Sequence, residues 1–336
     1  MVVDQNKDKT GLFWLTGSQQ FSMMKNISES LAGRIAVLNL QGISLAEEGR
    51  PQTPPFIPTV ARLRHRRKIA RPLSLKDIYF KIWRGTYPRL VRQKGMTARG
   101  VAQKRSGNQG DATIIWEQFY NSYMLTYVER DVRDYLQIDN LTAFKKFMQL
   151  AAARIAQKIN YREIAKEVGI SEPTIKSWFN VLEATRLARF IYPYYKNVSK
   201  RILKTPKFYF MDTGLCCFLT KWINPEVLEK GAMAGAMLET YVVSEILKSY
   251  LHNGIEPSVY YYADKEKREV DLLIEEAGCL YPIEIKKTAS VRNSGFKGFD
   301  FLKSLKTPVG HGCILCFGKH YVPFSKEVDI VPIGYI

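Results

Sequence analysis

Residues 269–287, EVDLLIEEAGCLYPIEIKK, leave the backbone little choice. Two short apolar runs flank Glu276, Ala277 and Gly278, and the spacing predicts a β-hairpin that turns there. Side chains alternate across a strand, so Glu284 and Lys286 share one face while Ile283 and Ile285 take the other. Asp271 stands inside the first run, between Val270 and Leu272. Plain sheet formers would pack better at these three positions, so the polar face is either solvated or a site.

The elements around the hairpin bear on that choice. GAMLETYVVSEILKSYL reads as a helix with Leu238, Val242, Ile246 and Leu247 on its apolar side and Glu239 beside them. The strands VYYYAD, EVDLLIE and YPIEIKK follow, then a helix, SGFKGFDFLKSL, and a strand, GCILCF. Helix, three-stranded meander, helix and strand is the order of a restriction-endonuclease-like α/β core. Metal-dependent phosphodiester hydrolysis needs acidic oxygens to hold Mg²⁺ and a lysine to position or activate the attacking water. Asp271, Glu284 and Lys286 follow the pattern D-x12-E-x-K, and Glu239 is the fourth member of the expected catalytic set. Asp271 and Glu284 are the expected Mg²⁺ ligands. A solvated hairpin face, and a nuclease-like fold that binds nucleic acid without cutting it, stand as alternatives.

Upstream the pattern changes to short helices. FKKFMQLAAARIAQKI is one, YREIAKEVGI a second, and SEPTIKSWFNVLEAT a third, with Ser171 as N-cap and Pro173 in the first turn. Gly169 lies in the short turn between the last two, at helix-turn-helix spacing. RLARFIYPYYKNVSKRILKTPKFYF then reads as a β-hairpin with a basic, Tyr-rich tip, which completes a winged helix-turn-helix. In that motif the third helix enters the major groove, so Thr174, Lys176, Ser177 and Asn180 are expected to face bases or phosphates. Lys196, Lys200 and Arg201 on the wing are expected to meet the phosphate backbone. Winged helices that serve as protein-contact or structural modules are the alternative.

The charge balance agrees with a polyanionic partner. Lys and Arg number 50 against 32 Asp and Glu, a formal net charge of +18, which makes DNA the first partner to consider. An anionic membrane surface would also suit, but no apolar run reaches the roughly 18 residues a spanning helix needs. MVVDQNKDKT at the start has no apolar signal-peptide core, so a cytoplasmic protein is expected. Five cysteines do not make a disulfide framework in 336 residues, and Cys313 and Cys316 in GCILCF read as core rather than as a metal or redox pair.

Nearer the N-terminus, GLFWLTGSQQF, SMMKNISESLAGR and IAVLNL give a β-α-β pattern, the unit of a parallel α/β sheet. Two strands and one helix cannot close such a sheet, so further strands are expected before Met1. Residues 46–73 are rich in Pro and Arg and lack periodicity, which marks a linker or mobile loop. Its basic cluster, Arg62, Arg64, Arg66, Arg67 and Lys68, is either a solvated run or a phosphate-contacting arm. Residues 74–140 return to helical patterns, and the aromatic stripe of WEQFYNSYMLTYVERDVRDYL reads as core.

Taken in order, LFWLTGSQQF, ESLAGR, GTYPRL, YVERDVRDYL, NYREIAKEVGISEPTIKSWFNVLEATRL, TPKFYFMDTGL, AMLETYVVSEIL, EVDLLIE and PIEIK resemble a known family. It is that of predicted prokaryotic AAA-type ATPases with a C-terminal winged-helix and nuclease-like domain of unknown function. The resemblance implies that the strand ending in Thr-Gly-Ser is the sensor-1 strand, where Thr16 or Ser18 would sense the γ-phosphate of ATP. It also implies phosphate or intersubunit contacts for Arg34 and for Arg130 or Arg133. The family's phosphate loop, ending in Gly-Lys-Ser/Thr, has no counterpart here, since GNQGDA lacks both lysine and hydroxyl. The acidic strand that would hold its Mg²⁺ is absent too, so the chain is expected to be an N-terminally truncated member that does not hydrolyse ATP by itself. ATP binding is expected only of a full-length form.

The expected fold class is therefore an α/β multidomain protein. Residues 1–45 would be an incomplete P-loop-type α/β remnant, 46–73 a linker and 74–140 a helical lid-like region. Residues 141–210 would be the winged helix-turn-helix and 211–336 the restriction-endonuclease-like domain. A DNA-binding part of an ATPase leads; a Mg²⁺-dependent nuclease and a non-enzymatic module that contacts a partner protein or a second copy are the alternatives.

Overall fold

The computed structural model describes residues 40–49, 53–93, 110–126, 140–291 and 298–336, with Gly11, Trp14, Ala36, Met96 and Phe296 besides. Among these residues it is a mixed α/β structure with a two-stranded and a six-stranded sheet.

Helix α1 (Val60–Ile69) opens the helical part, followed by α2 (Leu75–Arg84), α3 (Pro88–Val91) and α4 (Gly110–Tyr123). Ser74 and Asp77 form a reciprocal capping box at the start of α2, which buries Ile78, Tyr79, Phe80, Ile82 and Trp83. Trp83 stacks on Trp116 of α4 at 4.9 Å between ring centroids, and Tyr120 is fully buried, so the first part of the aromatic stripe is core; its residues beyond Thr126 lie outside the described residues.

Within 46–73, the described residues include a buried extended run and a helix. Phe56, Ile57 and Pro58 are buried in an extended run, and α1 packs its Leu63 and Arg66 inward. Arg66 donates to the carbonyls of Pro54 at 2.7 Å and Tyr335 at 3.0 Å, tying α1 to the C-terminus. A helix whose inward face includes an arginine has no apolar stripe for a sequence pattern to catch.

Three helices follow: α5 (Leu141–Ala153), α6 (Tyr161–Val168) and α7 (Glu172–Ala184). Gly169 takes φ +89° at the end of α6, a left-handed turn that glycine adopts without strain. Ser171 caps α7 with Pro173 in its first turn. The antiparallel pair β1 (Ala188–Ile191) and β2 (Lys207–Phe210) lies against α7, through Phe179 with Phe190 and Phe208. The expected loop at the tip of that pair is instead a short helix, α8 (Val198–Leu203), capped by Asn197.

Then come α9 (Thr213–Leu219) and α10 (Pro225–Lys230). Two of the motifs quoted above, GTYPRL and TPKFYFMDTGL, meet here. Asp212 caps α9 through the Leu215 N–H and accepts both the N–H and the hydroxyl of Thr86, at 2.7 and 2.9 Å, and the Tyr120 hydroxyl at 2.7 Å. Gly85 passes so close that an added Cβ would lie 2.1 Å from the Tyr120 oxygen. These motifs fasten α2 and α4 to α9.

The long helix α11 (Ala234–Leu251) leads into the larger sheet: β3 (Val259–Ala263), β4 (Glu269–Glu276), β5 (Cys279–Ile285), β6 (Gly312–Cys316), β7 (Val322–Pro323) and β8 (Val328–Pro332). The spatial order is β3-β4-β5-β6-β8-β7, with β3, β4 and β5 antiparallel and β6 parallel to both β5 and β8. Ala277 and Gly278 both take positive φ, 51° and 74°, as a two-residue hairpin turn requires. The helix expected over 294–305 is, within the described residues, a 3-10 helix, Asp300–Leu305, and β8 has no counterpart among the expected strands.

Both faces of the sheet are covered. Leu272, Ile274, Ile283, Cys313 and Leu315 join the main core with Leu238, Val242 and Ile246 of α11. Val270, Leu273, Ile314, Cys316 and Ile330 form a second core with Phe299 and Leu302. Cys313 and Cys316 therefore lie on opposite faces of β6 and cannot grip one ion together. The edge strand β3 is not free. Tyr194 donates its N–H to the Tyr261 carbonyl at 2.7 Å, and Tyr261 donates to the Tyr192 carbonyl at 3.1 Å.

Candidate acidic site where the strand pair meets the sheet

Helix α11 is buried almost all round, and Glu239 is one of its few partly exposed positions near the N-terminal end. Its Oε1 accepts the Tyr209 hydroxyl at 2.7 Å and the Lys207 ammonium at 3.1 Å. Both partners come from β2, where Phe208 and Phe210 turn the other way into the helical core. Lys207 reaches on to Glu269, the first residue of β4, at 2.8 Å.

Asp271 follows two residues later, at a break in the ladder. Tyr260 pairs with Leu273 and Tyr262 with Val270, so Asp271 and Leu272 together oppose Tyr261 alone, a β-bulge in β4. Bulges re-aim side chains, and this one lets the Asp271 Oδ2 accept the Ile285 N–H at 2.7 Å. The end of β5 is thereby tied to the start of β4, beside Glu284. Glu284 is buried; its Oε1 meets the Lys286 ammonium at 2.5 Å, while its Oε2 is buried and, among the described residues, has no hydrogen-bond partner.

The electrostatics record this crowding. Loss of solvent and the nearby Glu284 and Glu239 push the Asp271 carboxyl well above its ordinary range, against the pull of Lys207 and the Ile285 N–H. Burial also raises Glu284; Lys286 opposes the shift, and Glu239 and Glu269 add to it. Burial alone would lower Lys207, but Glu239, Glu269 and Asp271 outweigh it and raise the ammonium above the usual lysine value. The same balance, with Glu284 foremost among the carboxylates, raises Lys286. The site favours charged lysines, while burial and mutual repulsion favour the protonated forms of Asp271 and Glu284.

All four expected catalytic residues thus take part in one electrostatic cluster. Lys207, Tyr209 and Glu269 complete it and were not expected. KFYF carries the same period-2 signal that singled out Glu284 and Lys286, since Lys207 and Tyr209 share a face. That signal marks a polar face without naming its partner.

Among the described residues no three His, Cys, Asp or Glu groups stand close enough to cage a metal ion. Asp271 and Glu284 fit the looser case, a hydrated cation held by one or two carboxylates. The unpartnered Glu284 Oε2 is the observation in favour of that fit.

The residues expected to face nucleic acid divide. Ser177 and Asn180 on α7 and Lys196 and Lys200 at the tip are exposed, and no carboxylate among the described residues pairs with either tip lysine. Lys176 is exposed but pairs with Glu172 at 2.7 Å, and the Thr174 hydroxyl is engaged by Ser171. Arg201 is a correction. The helical tip turns it inward, where it donates to the Tyr195 carbonyl, to the Tyr260 hydroxyl at 2.8 Å and to Glu275 at 3.1 Å. Thr16, Ser18, Arg34, Arg130 and Arg133 lie outside the described residues. Among the described residues no helix is long and apolar enough to cross a membrane.

Two family models match the chain: a domain of unknown function (DUF8612) over residues 75–226 and a domain of unknown function (DUF4143) over residues 234–336. The second begins where α11 does, so Glu239, Glu269, Asp271, Glu284 and Lys286 fall in one match and Lys207 and Tyr209 in the other. Uncharacterized proteins of Mycobacterium tuberculosis and Mycobacterium bovis are each 25% identical over 328 residues, which is 96% of this chain and 62% of theirs. The chain spans less than two thirds of the length of these curated relatives.

Proposed function

We propose that the chain joins a DNA-binding winged helix to a restriction-endonuclease-like domain, in the setting of an AAA-type ATPase, and that the acidic site cleaves DNA phosphodiester bonds with Mg²⁺. The observation that carries this reading is the convergence of Asp271, Glu284, Lys286 and Glu239 around a buried carboxylate oxygen without a partner. Asp271 and Glu284 would hold the cation. Bound Mg²⁺ would stabilise charge on the scissile phosphate and acidify a bound water. Lys286, held protonated beside Glu284, would be the residue to hold a bound water by hydrogen bond. Lys207 and Tyr209 fix the Glu239 carboxylate from the strand-pair side. The exposed Ser177 and Asn180 on α7, Lys196 and Lys200 at the tip, and the net charge of +18 support DNA as the partner.

The test is cleavage of supercoiled and branched DNA with Mg²⁺ or Mn²⁺. Cleavage is expected of the unaltered chain and not of Asp271→Ala or Lys286→Ala. Equal cleavage by all three proteins, or by none, ends the nuclease reading.

A second reading has one observation in its favour. Lys207 bridges Glu239 and Glu269, as a site that holds two parts of the chain together rather than a metal would require. On that reading the chain binds a partner without cutting it. Affinity for duplex DNA that falls steeply with salt then identifies the partner as nucleic acid, and affinity indifferent to salt points to protein.

A further inference from the structure

We infer that helix α8 at the tip of the strand pair is an apolar wedge that enters a nucleic-acid groove and unstacks a base step. The inference rests on the reading of the chain as DNA-directed, and adds how the DNA is shaped.

The tip is built backwards for a simple basic clamp. Its arginine, Arg201, is spent on anchoring: besides its hydrogen bonds to Tyr195, Tyr260 and Glu275, its guanidinium stacks over the rings of Tyr194 and Tyr260, each at 4.5 Å. The same short helix presents Val198, Ile202 and Leu203 to solvent, 62%, 68% and 83% exposed. Three large aliphatic side chains exposed on one turn-and-a-half of helix form a patch that calls for an occupant. Because Arg201 and the Asn197 cap hold the turn in place, its order is already established before anything binds.

The charges around the patch select the occupant. Lys196, Lys200 and Lys204 flank it, all exposed and, among the described residues, with no carboxylate partner. Ammonium groups beside Ile and Leu match a groove whose walls are phosphate and whose floor is stacked bases, and aliphatic wedges of this kind kink the duplex where they enter. The strands that carry the tip pack on α7, whose Ser177 and Asn180 offer exposed hydrogen-bonding groups from the same unit. A lipid surface fits less well, because between Tyr195 and Lys204 there is no Trp or Phe to seat at a bilayer interface.

The experiment uses the whole chain with a short mixed-sequence duplex carrying a fluorophore pair at its ends and 2-aminopurine within, in the absence of divalent cation. The unaltered protein is expected to shorten the end-to-end distance and brighten the 2-aminopurine. Ile202→Ser combined with Leu203→Ser, both exposed, is expected to bind about tenfold more weakly with the same salt slope and to produce neither signal. Lys200→Ala is expected to lower the salt slope by about one and keep the distortion. Salt-dependent binding without distortion, or equal distortion by the double variant, overturns the wedge and leaves the DNA reading standing. No binding to duplex overturns both, and binding instead to phosphatidylserine vesicles that the double variant loses would identify the patch as lipid-directed.

Discussion

Helix α11 carries two ionic clusters of opposite character. Near its C-terminal end Glu245 and Lys248, 2% and 0% exposed, pair with each other at 2.5 Å. Glu245 also accepts the Leu45 N–H at 2.7 Å, and Lys248 reaches the Ile43 carbonyl at 3.3 Å. Charge and hydrogen bonds balance, so that pair needs nothing further. Near the other end Glu239 belongs to a group in which, among the described residues, Glu269, Asp271 and Glu284 face Lys207 and Lys286 as their cations, and one carboxylate oxygen has no partner. A balanced buried pair stabilises one arrangement. An unbalanced, partly open group is poised to take another cation, and that difference, more than the presence of charge, marks a candidate site.

Substitutions can break this contrast. The largest effect is expected at the balanced end: Lys248→Met strands the Glu245 carboxylate and should cost about 3–5 kcal/mol in urea unfolding. Replacing both partners by Met should recover much of that loss, because no charge is then left buried alone. A loss no larger than that of a surface substitution would show that the pair is not buried as described.

At the unbalanced end a smaller loss is expected for Tyr209→Phe, about 1.5 kcal/mol for one hydrogen bond to a carboxylate that keeps its lysine. A value near zero would mean that Glu239 is held by Lys207 alone.

Asp271→Asn reads the surplus charge directly. Asp271 and Glu284 are raised in the folded chain, so between the ordinary carboxylate range, about pH 4, and their raised values the folded chain binds more protons than the unfolded one. Their contribution to stability is present below that range and declines as pH rises through the folded values. Asp271→Asn should therefore flatten the fall in stability from acid to neutral pH and leave the neutral protein no less stable. A steeper fall in the variant would reverse the sign of this account.

The smallest effects belong to the exposed positions. Ser177→Ala, Asn180→Ala and Lys196→Ala should each change stability by less than about 0.5 kcal/mol. Any loss of duplex affinity they cause would then report contact rather than folding.

The sequence is most readable where structure is decided locally. Ser171, Pro173 and Gly169 announce the ends of α6 and α7 through capping and turn chemistry that acts within a few residues. The alternation in EVDLLIE and PIEIKK announces β4, β5 and the pairing of Glu284 with Lys286. Three features escape that reading for three reasons. In α1 an arginine takes an inward position. At the tip a cap on Asn197 turns an expected loop into a helix and Arg201 with it. Lys207 and Tyr209 meet Glu239 only once two separately patterned regions have packed together.

The hydrogen bonds between Tyr192–Tyr194 and Tyr261 have a further consequence. Without them β3 would be an open strand edge, its unpaired amides and carbonyls a template for any other extended chain. A C-terminal half cut off before α11 would expose that edge, and with it the apolar surface that β2 now covers. Such a piece would offer that edge to copies of itself, so the strand pair acts as the cover of the larger sheet's open side.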